Sequence, residues 1–423
     1  MTKLFENIMV LNLFDGNLNI NKTTDGGLSD EMKVFYSDYL IDMAEPNLVH
    51  DQFAQKQNIP TNGGKTIEFR KYSPLPKMMT PLQEGVTPDG QKLTVSTVTA
   101  TVEQYGGYIA ITDILQMTAI DNNMLQATKL LGGQAGRTLD TVTREVLVGG
   151  TNVLYSGGKA ARHLLVGGED SGNDVLKVID VKKAVRYLKA MNAEKINGDF
   201  AAIINQDCAF DLTEDNDWKY PHQYVDTENI YANEIGRIAG CRFVESSEAK
   251  IFHAADLLPA DGEDAAVREL TVASVSGKTF TVKEKMTAAQ AAALVGRKVI
   301  VKGILYTVAS AAAGAAGAAT FTVTETVSGS PAANDTVYGG EAGAKGRDVY
   351  ATLIMGANAY GTTEITGGGL EHIVKPLGSA GAADPLNQRA TAGWKATKAA
   401  TRLVEEYMVR IESTSSFNDL GSN

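Results

Sequence analysis

Residues 122–148 form the longest helical pattern in the chain and read NNMLQATKLLGGQAGRTLDTVTREVLV. Eight mostly apolar residues recur there at three- and four-residue steps, which places them on one stripe of a helix; they are Met124, Ala127, Leu131, Ala135, Thr138, Leu139, Val142 and Val146. Asp121 is the predicted N-cap. At about 1.5 Å per residue the helix is about 40 Å long. This length favours a central spine over the wall of a pocket.

The composition is that of a soluble globular protein, with 43% hydrophobic and 21% charged residues. A chain of 423 residues exceeds one typical core and predicts two or three domains. The formal net charge of -11 opposes tight, sequence-independent binding of nucleic acid. It is compatible with a container that encloses DNA without holding it tightly. The two cysteines, Cys208 and Cys241, are expected to be small buried residues rather than a disulfide or metal site.

The N-terminal residues 1–63 are predicted to be an arm that carries one helix. Ser29 is its predicted cap, and the residues that share its apolar face are Met32, Phe35, Tyr36, Tyr39, Leu40 and Met43. This face packs either on its own domain or on a neighbouring subunit. The N-terminus lacks the order of a signal peptide, and no run approaches about 18 apolar residues, so we expect a cytoplasm-like compartment.

Residues 64–106 predict a long two-stranded hairpin. One strand is expected at residues 65–72 and a second at residues 92–105, with a bulge or strong twist between Val95 and Val98. The connecting stretch contains four prolines and cannot form a helix or a central strand. Because an isolated hairpin is marginal in water and its edges invite pairing, this ribbon needs a partner surface.

Short predicted elements flank the long helix. Residues 109–112 end a β-like run, and Asp113 is the predicted cap of a short helix through Met117. Farther along, Asp180 is the predicted cap of a helix with Val181, Val185, Leu188 and Met191 inward and Lys182, Lys183, Arg186 and Lys189 outward. That basic face is either solvated or in contact with an acidic partner. Residues 200–204 and 240–244 predict buried strands, the second after a helix that ends at Gly236, and together they indicate a mixed α/β lobe.

A change in composition begins near Ala255. Strands are predicted at residues 270–275, 279–283, 298–301, 305–309 and 320–327, with one helix at 288–294 whose capping box is Thr287 and Gln290. Removing residues 256–346 restores the α/β pattern, so this β-rich unit is predicted to be an insertion in an exposed loop. Strands at 348–355 and 370–376 follow, and residues 390–413 contain two more.

The motif search indicates no enzymatic site, cofactor or metal. The Gly157-Gly158-Lys159 sequence lacks the spacing and the hydroxyl of a phosphate-binding loop. The five histidines are scattered. The acidic runs Glu169-Asp170 and residues 214–217 are expected to be solvated loops, and Trp218 stands where a calcium loop would turn through glycine. Each is interpreted as a structural or surface feature.

Several strings resemble the major capsid proteins of N-four-like tailed bacteriophages: YIAITDIL at residues 108–115, TLD at 138–140, DPLNQR at 384–389, GWK at 393–395 and YMVRIE at 407–412. The resemblance covers about residues 1–255 and 347–417. It implies the α+β Hong Kong 97-type capsid fold. The implied parts are an N-terminal arm (1–63), an extended loop (64–107), a peripheral domain (108–175 and 384–423), an axial domain (176–255 and 347–383) and the β-rich insertion (256–346) on the capsid exterior.

The resemblance implies a structural role. Many copies assemble into hexamers and pentamers of an icosahedral head that encloses double-stranded DNA, with scaffolding, portal and decoration proteins as possible partners, assembly in the host cytoplasm and no membrane. The expected inter-subunit contacts are Phe35, Tyr39, Phe69, Arg70, Lys77, Lys92, Arg137, Asp140 and Arg144. Three alternatives stay open: a cellular nanocompartment shell of the same fold, a surface adhesin whose β-rich unit binds glycan, and an enzyme with an unrecognised site.

Overall fold

The computed structural model describes residues 20–21, 49–58, 65–72, 75, 77–79, 81, 85, 90–93, 95–118, 123–167, 174–222, 234–262, 264–363, 370–375, 377–379, 384 and 386–417. Several predictions fall outside these residues: the N-terminal helix with Phe35 and Tyr39, the cap Asp121, and the acidic pair Glu169-Asp170.

The described helices are α1 (Asp113–Thr118), α2 (Asn123–Val148), α3 (Val178–Ala190), α4 (Gln206–Glu214), α5 (Asn216–His222) and α6 (Ala288–Leu294). The strands are β1 (Ile20–Asn21), β2 (Gln55–Gln57), β3 (Thr66–Tyr72), β4 (Val95–Thr101), β5 (Glu103–Thr112), β6 (Val153–Tyr155), β7 (Phe200–Ile204), β8 (Glu234–Ile238), β9 (Cys241–Glu245), β10 (Ile251–Phe252), β11 (Leu270–Ser276), β12 (Thr279–Val282), β13 (Lys298–Val301), β14 (Ile304–Ala312), β15 (Ala319–Val323), β16 (Thr336–Gly339), β17 (Val349–Met355), β18 (Tyr360–Thr363), β19 (Leu370–Lys375), β20 (Arg389–Lys398), β21 (Ala400–Arg402) and β22 (Met408–Ser413).

The long helix α2 has the predicted bounds, and its N-terminal half packs on a four-stranded sheet of order β1-β5-β20-β19. Leu131, Ala135 and Leu139 meet Trp394 and neighbouring alanines of β20 there. Strands β5 and β20 pair without interruption over ten residues, from Glu103 opposite Lys398 to Thr112 opposite Arg389. The helix and this sheet form one small layered unit.

The predicted buried stripe is wrong at the C-terminal end of α2. Val142 and Val146 are only half-buried, whereas Thr143 and Leu147 are buried. The reason is a change of neighbour along the helix. Its last turns leave the four-stranded sheet, and Leu147 and Val148 pack beneath a second sheet against Ile203, Leu353 and Met355.

The second sheet has the order β6-β22-β17-β7-β9-β8, and β10 also pairs with β17. Strands β7 and β17 are buried along their whole length. Helices α3 to α5 contribute the core on one face of the sheet, and the end of α2 with Val49 and Phe53 covers the other. Continuous apolar strands are expected where both faces are covered, and the prediction for residues 200–204 is confirmed.

Two features of this lobe differ from the predictions. Gly236 does not end a helix but lies inside β8, at a shift in the register with β9 where a glycine fits the irregular backbone. The C-terminal run divides between the sheets: β20 lies beside α2, but β22 enters the larger sheet between β17 and β6. Val409 and Ile411 thereby join the core that α3 covers.

Two predicted helix caps are wrong. Asp180 lies inside α3, buried, where it bonds Ser156 and Lys183. The carboxylate of Asp215 instead accepts the first backbone N–H of α3, from Val178. Asp113 is the first residue of α1, and the hydroxyl of Thr112 accepts the N–H of Leu115.

Met191 also differs from its predicted position. It follows the last residue of α3 and is 40% exposed, because the helix ends at Ala190 and turns away from the core.

The predicted hairpin is present as the antiparallel pair of β3 and β4, which we call the ribbon. Its register is continuous from Thr66 opposite Thr101 to Tyr72 opposite Val95, so the predicted bulge is wrong. Val95 is exposed and Val98 is half-buried, so these two valines do not belong to one buried face and their spacing requires no bulge. The second predicted strand is two strands, because the chain at Val102 changes partner from β3 to β20.

Residues 270–339 contain a closed six-stranded barrel of order β11-β12-β15-β14-β13-β16. All five predicted strands and the helix with its capping box are present, and the sixth strand, β16, was missed. The barrel has its own core, in which the rings of Phe280 and Phe321 stack with centroids 5.0 Å apart. Closure leaves this small sheet without open edges.

The barrel is connected to the larger sheet through two adjacent strands. Phe252 of β10 lies opposite Val349 of β17, and Nδ1 of His253 lies 2.9 Å from the carboxylate of Asp348. The guanidinium of Arg162 packs 3.4 Å over the ring of Phe252. The chain therefore enters and leaves the barrel at neighbouring points.

Candidate assembly surface

The root of the ribbon is fixed to the body of the chain. Ile67, Phe69 and Ala100 are buried together with Ala399. The ring of Phe69 lies directly over Gly361 of β18, where an added Cβ atom would overlap Cε1 of the ring. Only glycine allows this approach, so Gly361 of β18 is required for Phe69 of the ribbon to pack there.

In the connection between β3 and β4, which we call the ribbon tip, the residues whose burial the structure describes are exposed. The large apolar side chains of this tip include Leu75, Met78, Met79 and Leu93, which are 54%, 63%, 83% and 59% exposed. An exposed apolar group of this kind on a projecting element is typical of a protein–protein contact. Flexible methionines adapt to the shape of a partner surface.

The stretch that holds β3 and the connection to β4 has a charge opposite to that of the chain. Residues 65–93 contain five lysines or arginines and three acids, whereas the whole chain carries -11. A second copy of the chain is therefore an electrostatically favourable partner for the ribbon, and such complementarity mainly directs association.

A buried polar cluster lies beneath the root of the ribbon. The backbone N–H of His50 donates to Oδ1 of Asp140 at 2.8 Å, and Nδ1 of His50 lies 2.6 Å from Oδ2. Both residues are at most 1% exposed. The hydroxyl of Tyr360 donates to the carbonyl of His50. These contacts join the segment before β2 to α2 and β18.

Asp51 extends the same cluster. Its carboxylate accepts a hydrogen bond from Thr143 at 2.8 Å and another from the ammonium of Lys398, whose side chain is fully buried. Burial, together with the nearby carboxylates of Asp51 and Asp140, holds the pKa of Tyr360 well above its ordinary value, so its hydroxyl stays a donor. The cluster ties residues 49–53, α2, β18 and β20 together at one place.

Sequence reasoning missed this cluster, although a signal was present. The four-residue steps from Leu131 through Leu139 continue to Thr143 and Leu147, so a polar residue falls on the buried stripe. Buried polar groups need partners, and that requirement predicts a partner for Thr143. It does not identify Asp51, which lies 92 positions away.

The four-stranded sheet presents a second surface on the side away from α2. A groove of about 430 Å³ crosses it between Tyr108 and Ile373, with Gly106 and Gly393 on its floor and Lys375 at its margin. Tyr108 is 59% exposed. Gly393 lies opposite Tyr108, and Gly106 lies opposite Lys395, so at these two glycines the strand backbone lines the groove.

The structure separates the predicted inter-subunit residues into two groups. Phe69, Asp140 and Arg144 are buried within their own chain, where each has a partner, and their contact with another subunit stays a prediction. Phe69 packs at the ribbon root and Asp140 on His50, while Arg144 donates to the carbonyl of Glu248. The exposed residues are Arg70, Lys77, Lys92 and Arg137, and for them contact with another subunit stays a prediction.

The glycine-rich loop at Gly157 and the two cysteines, which are the candidates for phosphate binding or nucleophilic chemistry, contact other residues of the fold. The loop at Gly157 packs against the carboxylate of Asp174, which also lies 3.6 Å from the ammonium of Lys159, and an anion in that place opposes phosphate binding. Burial raises the pKa of both Cys208 and Cys241, so neither thiol is activated.

Within the ranges described above, no cluster of three His, Cys, Asp or Glu side chains is arranged to hold a metal ion. Of the helices placed by the structure, none combines the length and apolar character needed to cross a membrane.

Residues 95–277 match the family model described as phage capsid protein. The matched range begins at the second strand of the ribbon, contains α2 and the helices of the larger sheet, and reaches the first strand of the barrel. No curated protein matches the sequence.

Solved phage capsids are similar to the chain in structure. The capsid of the cyanophage P-SCSP1u is 11% identical, with 96% of this chain and 100% of that chain covered and a TM-score of 0.48. The capsid of Ralstonia phage GP4 is 11% identical, with 88% and 87% covered and a TM-score of 0.48. The head of Helicobacter pylori bacteriophage KHP40 is 10% identical, with 95% and 98% covered and a TM-score of 0.47.

Proposed function

We propose that this chain is the major capsid protein of a tailed phage of the N-four-like group, with the Hong Kong 97-type fold. Copies assemble into hexamers and pentamers of an icosahedral head around double-stranded DNA, and the role is structural rather than enzymatic. The observation that carries the proposal is the match of residues 95–277 to the phage capsid family.

The geometry of the ribbon supports assembly. Its root is packed on β18 and its tip exposes methionine and leucine side chains. Such an element gains little stability by itself, because a two-stranded ribbon without a third partner is marginal. A neighbouring copy supplies the missing contact, and obligate interfaces of this kind commonly exceed about 2,000 Å².

The barrel is proposed to be an inserted domain on the capsid exterior. Its closed sheet, separate core and adjacent entry and exit strands favour a unit added to a host fold. In this division residues 64–107 are the extended loop, 256–346 the insertion, and the two sheets belong to the peripheral and axial domains. Arg70, Lys77, Lys92 and Arg137 are proposed to lie at contacts between subunits.

The experiment is expression of the full chain, alone and with a scaffolding protein, followed by electron microscopy and sedimentation. Closed particles are expected. The variant Met78→Ser/Met79→Ser is expected to stay in small species, because its tip no longer offers apolar area to a partner. Met191→Ser, which changes another exposed methionine outside the ribbon, is the matched control and is expected to assemble.

Persistent monomers of the wild-type chain at high concentration, with or without scaffold, would overturn the capsid proposal. Monomers that bind glycan through the barrel would instead favour an adhesin. Shells that incorporate a cellular enzyme as cargo would favour a nanocompartment.

A further inference from the structure

One solvent-exposed face of the larger-sheet lobe is basic in a chain that is acidic overall. Helix α3 places Lys182, Lys183, Arg186 and Lys189 on its exposed side, and its single acid, Asp180, is buried. The net charge of the chain is -11. The exposed face of this helix therefore carries positive charge although the chain as a whole carries negative charge.

The cations continue beyond the end of α3. Lys195 lies in the turn that follows, and its ammonium is 4.0 Å from the position that a Cβ atom would occupy at Gly240. The turn at Gly240 joins β8 to β9, where Arg237 and Arg242 both contact the carboxylate of Asp199, at 3.2 Å and 3.3 Å. One buried acid thus faces two guanidiniums, and positive charge remains at this end of the sheet.

Acids neutralise only part of this surface. Asp217 pairs with Lys182 and Asp180 with Lys183, each at 2.8 Å. No carboxylate of the described residues pairs with Arg186, Lys189 or Lys195, all of which are exposed. Residues 182, 186 and 189 follow one stripe, so they form a row about 10 Å long at about 1.5 Å per residue.

We propose that these cations, namely Lys182, Lys183, Arg186, Lys189, Lys195 and Arg237, form a basic surface that contacts the phosphate backbone of the enclosed double-stranded DNA. The proposal rests on the proposed capsid function and identifies the inward face of the subunit. Double-stranded DNA presents about one negative charge per 1.7 Å of axis, so a row of cations meets phosphates in any register and without sequence preference.

The contact is expected to be weak for each copy. The acidic remainder of the chain repels DNA, and only a few unpaired cations face it. Many copies in one shell add their contacts through multivalency. Together these contacts order the layer of DNA next to the shell. Each single contact between one subunit and the DNA is weak and dissociates rapidly.

The test measures binding of fluorescent double-stranded DNA to the purified full chain by anisotropy over a series of NaCl concentrations. The variant R186E/K189E/K195E reverses three unpaired cations. The control K278E/K285E/K302E makes the same change in net charge on exposed lysines of the barrel. Binding is expected for the wild type at low salt, with its salt slope reduced by about 2–3 in the first variant and little changed in the control.

Three results would overturn the basic surface as a DNA contact: no binding by the wild type at the lowest salt, unchanged binding by R186E/K189E/K195E, or equal loss in both variants. Preference of the surface for a polyglutamate peptide over DNA would also overturn it and indicate an acidic protein partner. Electron microscopy of the same proteins separates the two proposals. Closed particles without DNA binding leave the capsid function standing, whereas absence of particles counts against that function.

Discussion

The carboxylate of Asp140 on α2 receives both the backbone N–H and the ring Nδ1 of His50, at 2.8 Å and 2.6 Å, although the two residues are 90 positions apart. The pair is buried and fixes the segment that leads into the ribbon onto the long helix. Nε2 of His50 is buried without a partner in the described part of the chain, so Asp140 satisfies the ring on one side only.

Loss of Asp140 should therefore destabilise the fold. Asp140→Ala is expected to lower the free energy of unfolding by about 3–5 kcal/mol, because it leaves buried donors of His50 unpaired. Asp140→Asn is expected to cost less, since an amide oxygen still accepts one bond. Urea unfolding measures both, with the exposed Arg137→Ala on the same helix as control, expected within about 0.5 kcal/mol of the wild type. Equal stability of Asp140→Ala and Arg137→Ala would contradict the role of the cluster.

The approach of Phe69 to Gly361 gives a second prediction. Gly361→Ala is expected to destabilise the chain by about 1–3 kcal/mol, because the new Cβ atom would overlap the ring. Adding Phe69→Leu should recover part of the loss by making room, and thermal unfolding of the three variants measures this coupling. Gly90→Ala, which adds a Cβ with nothing within 4 Å, is the matched control. Simple additivity of the two changes would show that the residues do not press on one another.

How far the sequence predicts this fold depends on the range over which each interaction acts. The bounds of α2, the capping box of α6 and five strands of the barrel follow from local periodicity, and the structure has them. The bulge at Val95, the cap at Asp180 and the helix end at Gly236 were wrong because tertiary neighbours determine those positions: exposure of the ribbon, the carboxylate of Asp215, and pairing of β8 with β9.

The polar cluster around Asp51 and Asp140 could not be predicted from the sequence. Its ion pair joins Asp51 to Lys398 across 347 positions, and no local pattern connects them. The missed strand β16 has a related cause, since four residues after a Gly, Ser and Pro segment carry little periodic signal and depend on β11 and β13 for pairing. By contrast, exposure of the ribbon tip follows from its prolines and glycines, which exclude regular structure.

The adjacent entry and exit of the barrel predict that it can be removed. Replacing residues 256–346 by a short glycine–serine linker is expected to preserve the remaining fold, because Phe252 and Val349 already pair across the junction. Circular dichroism and a single cooperative unfolding transition of the shortened chain measure this. The excised barrel should also fold alone. An unfolded remainder would show that the barrel is part of the axial core.

Burial of the cysteines predicts slow modification. The pKa of each thiol is raised by burial, so Cys208 and Cys241 are expected to resist iodoacetamide at pH 8 in the folded chain. In denaturant both cysteines should react with iodoacetamide at the rate of an exposed thiol. Mass spectrometry after timed quenching counts the labels, and rapid labelling without denaturant would contradict the packing of the larger-sheet lobe around them.

The most direct measurement of the central proposal is a three-dimensional electron cryo-microscopy reconstruction of the purified assembly. It is expected to resolve a closed icosahedral shell in which the ribbon tip around Met78 and Met79 of each copy lies on another copy. A monodisperse single chain at high concentration, with the ribbon tip packed against its own body, would contradict it.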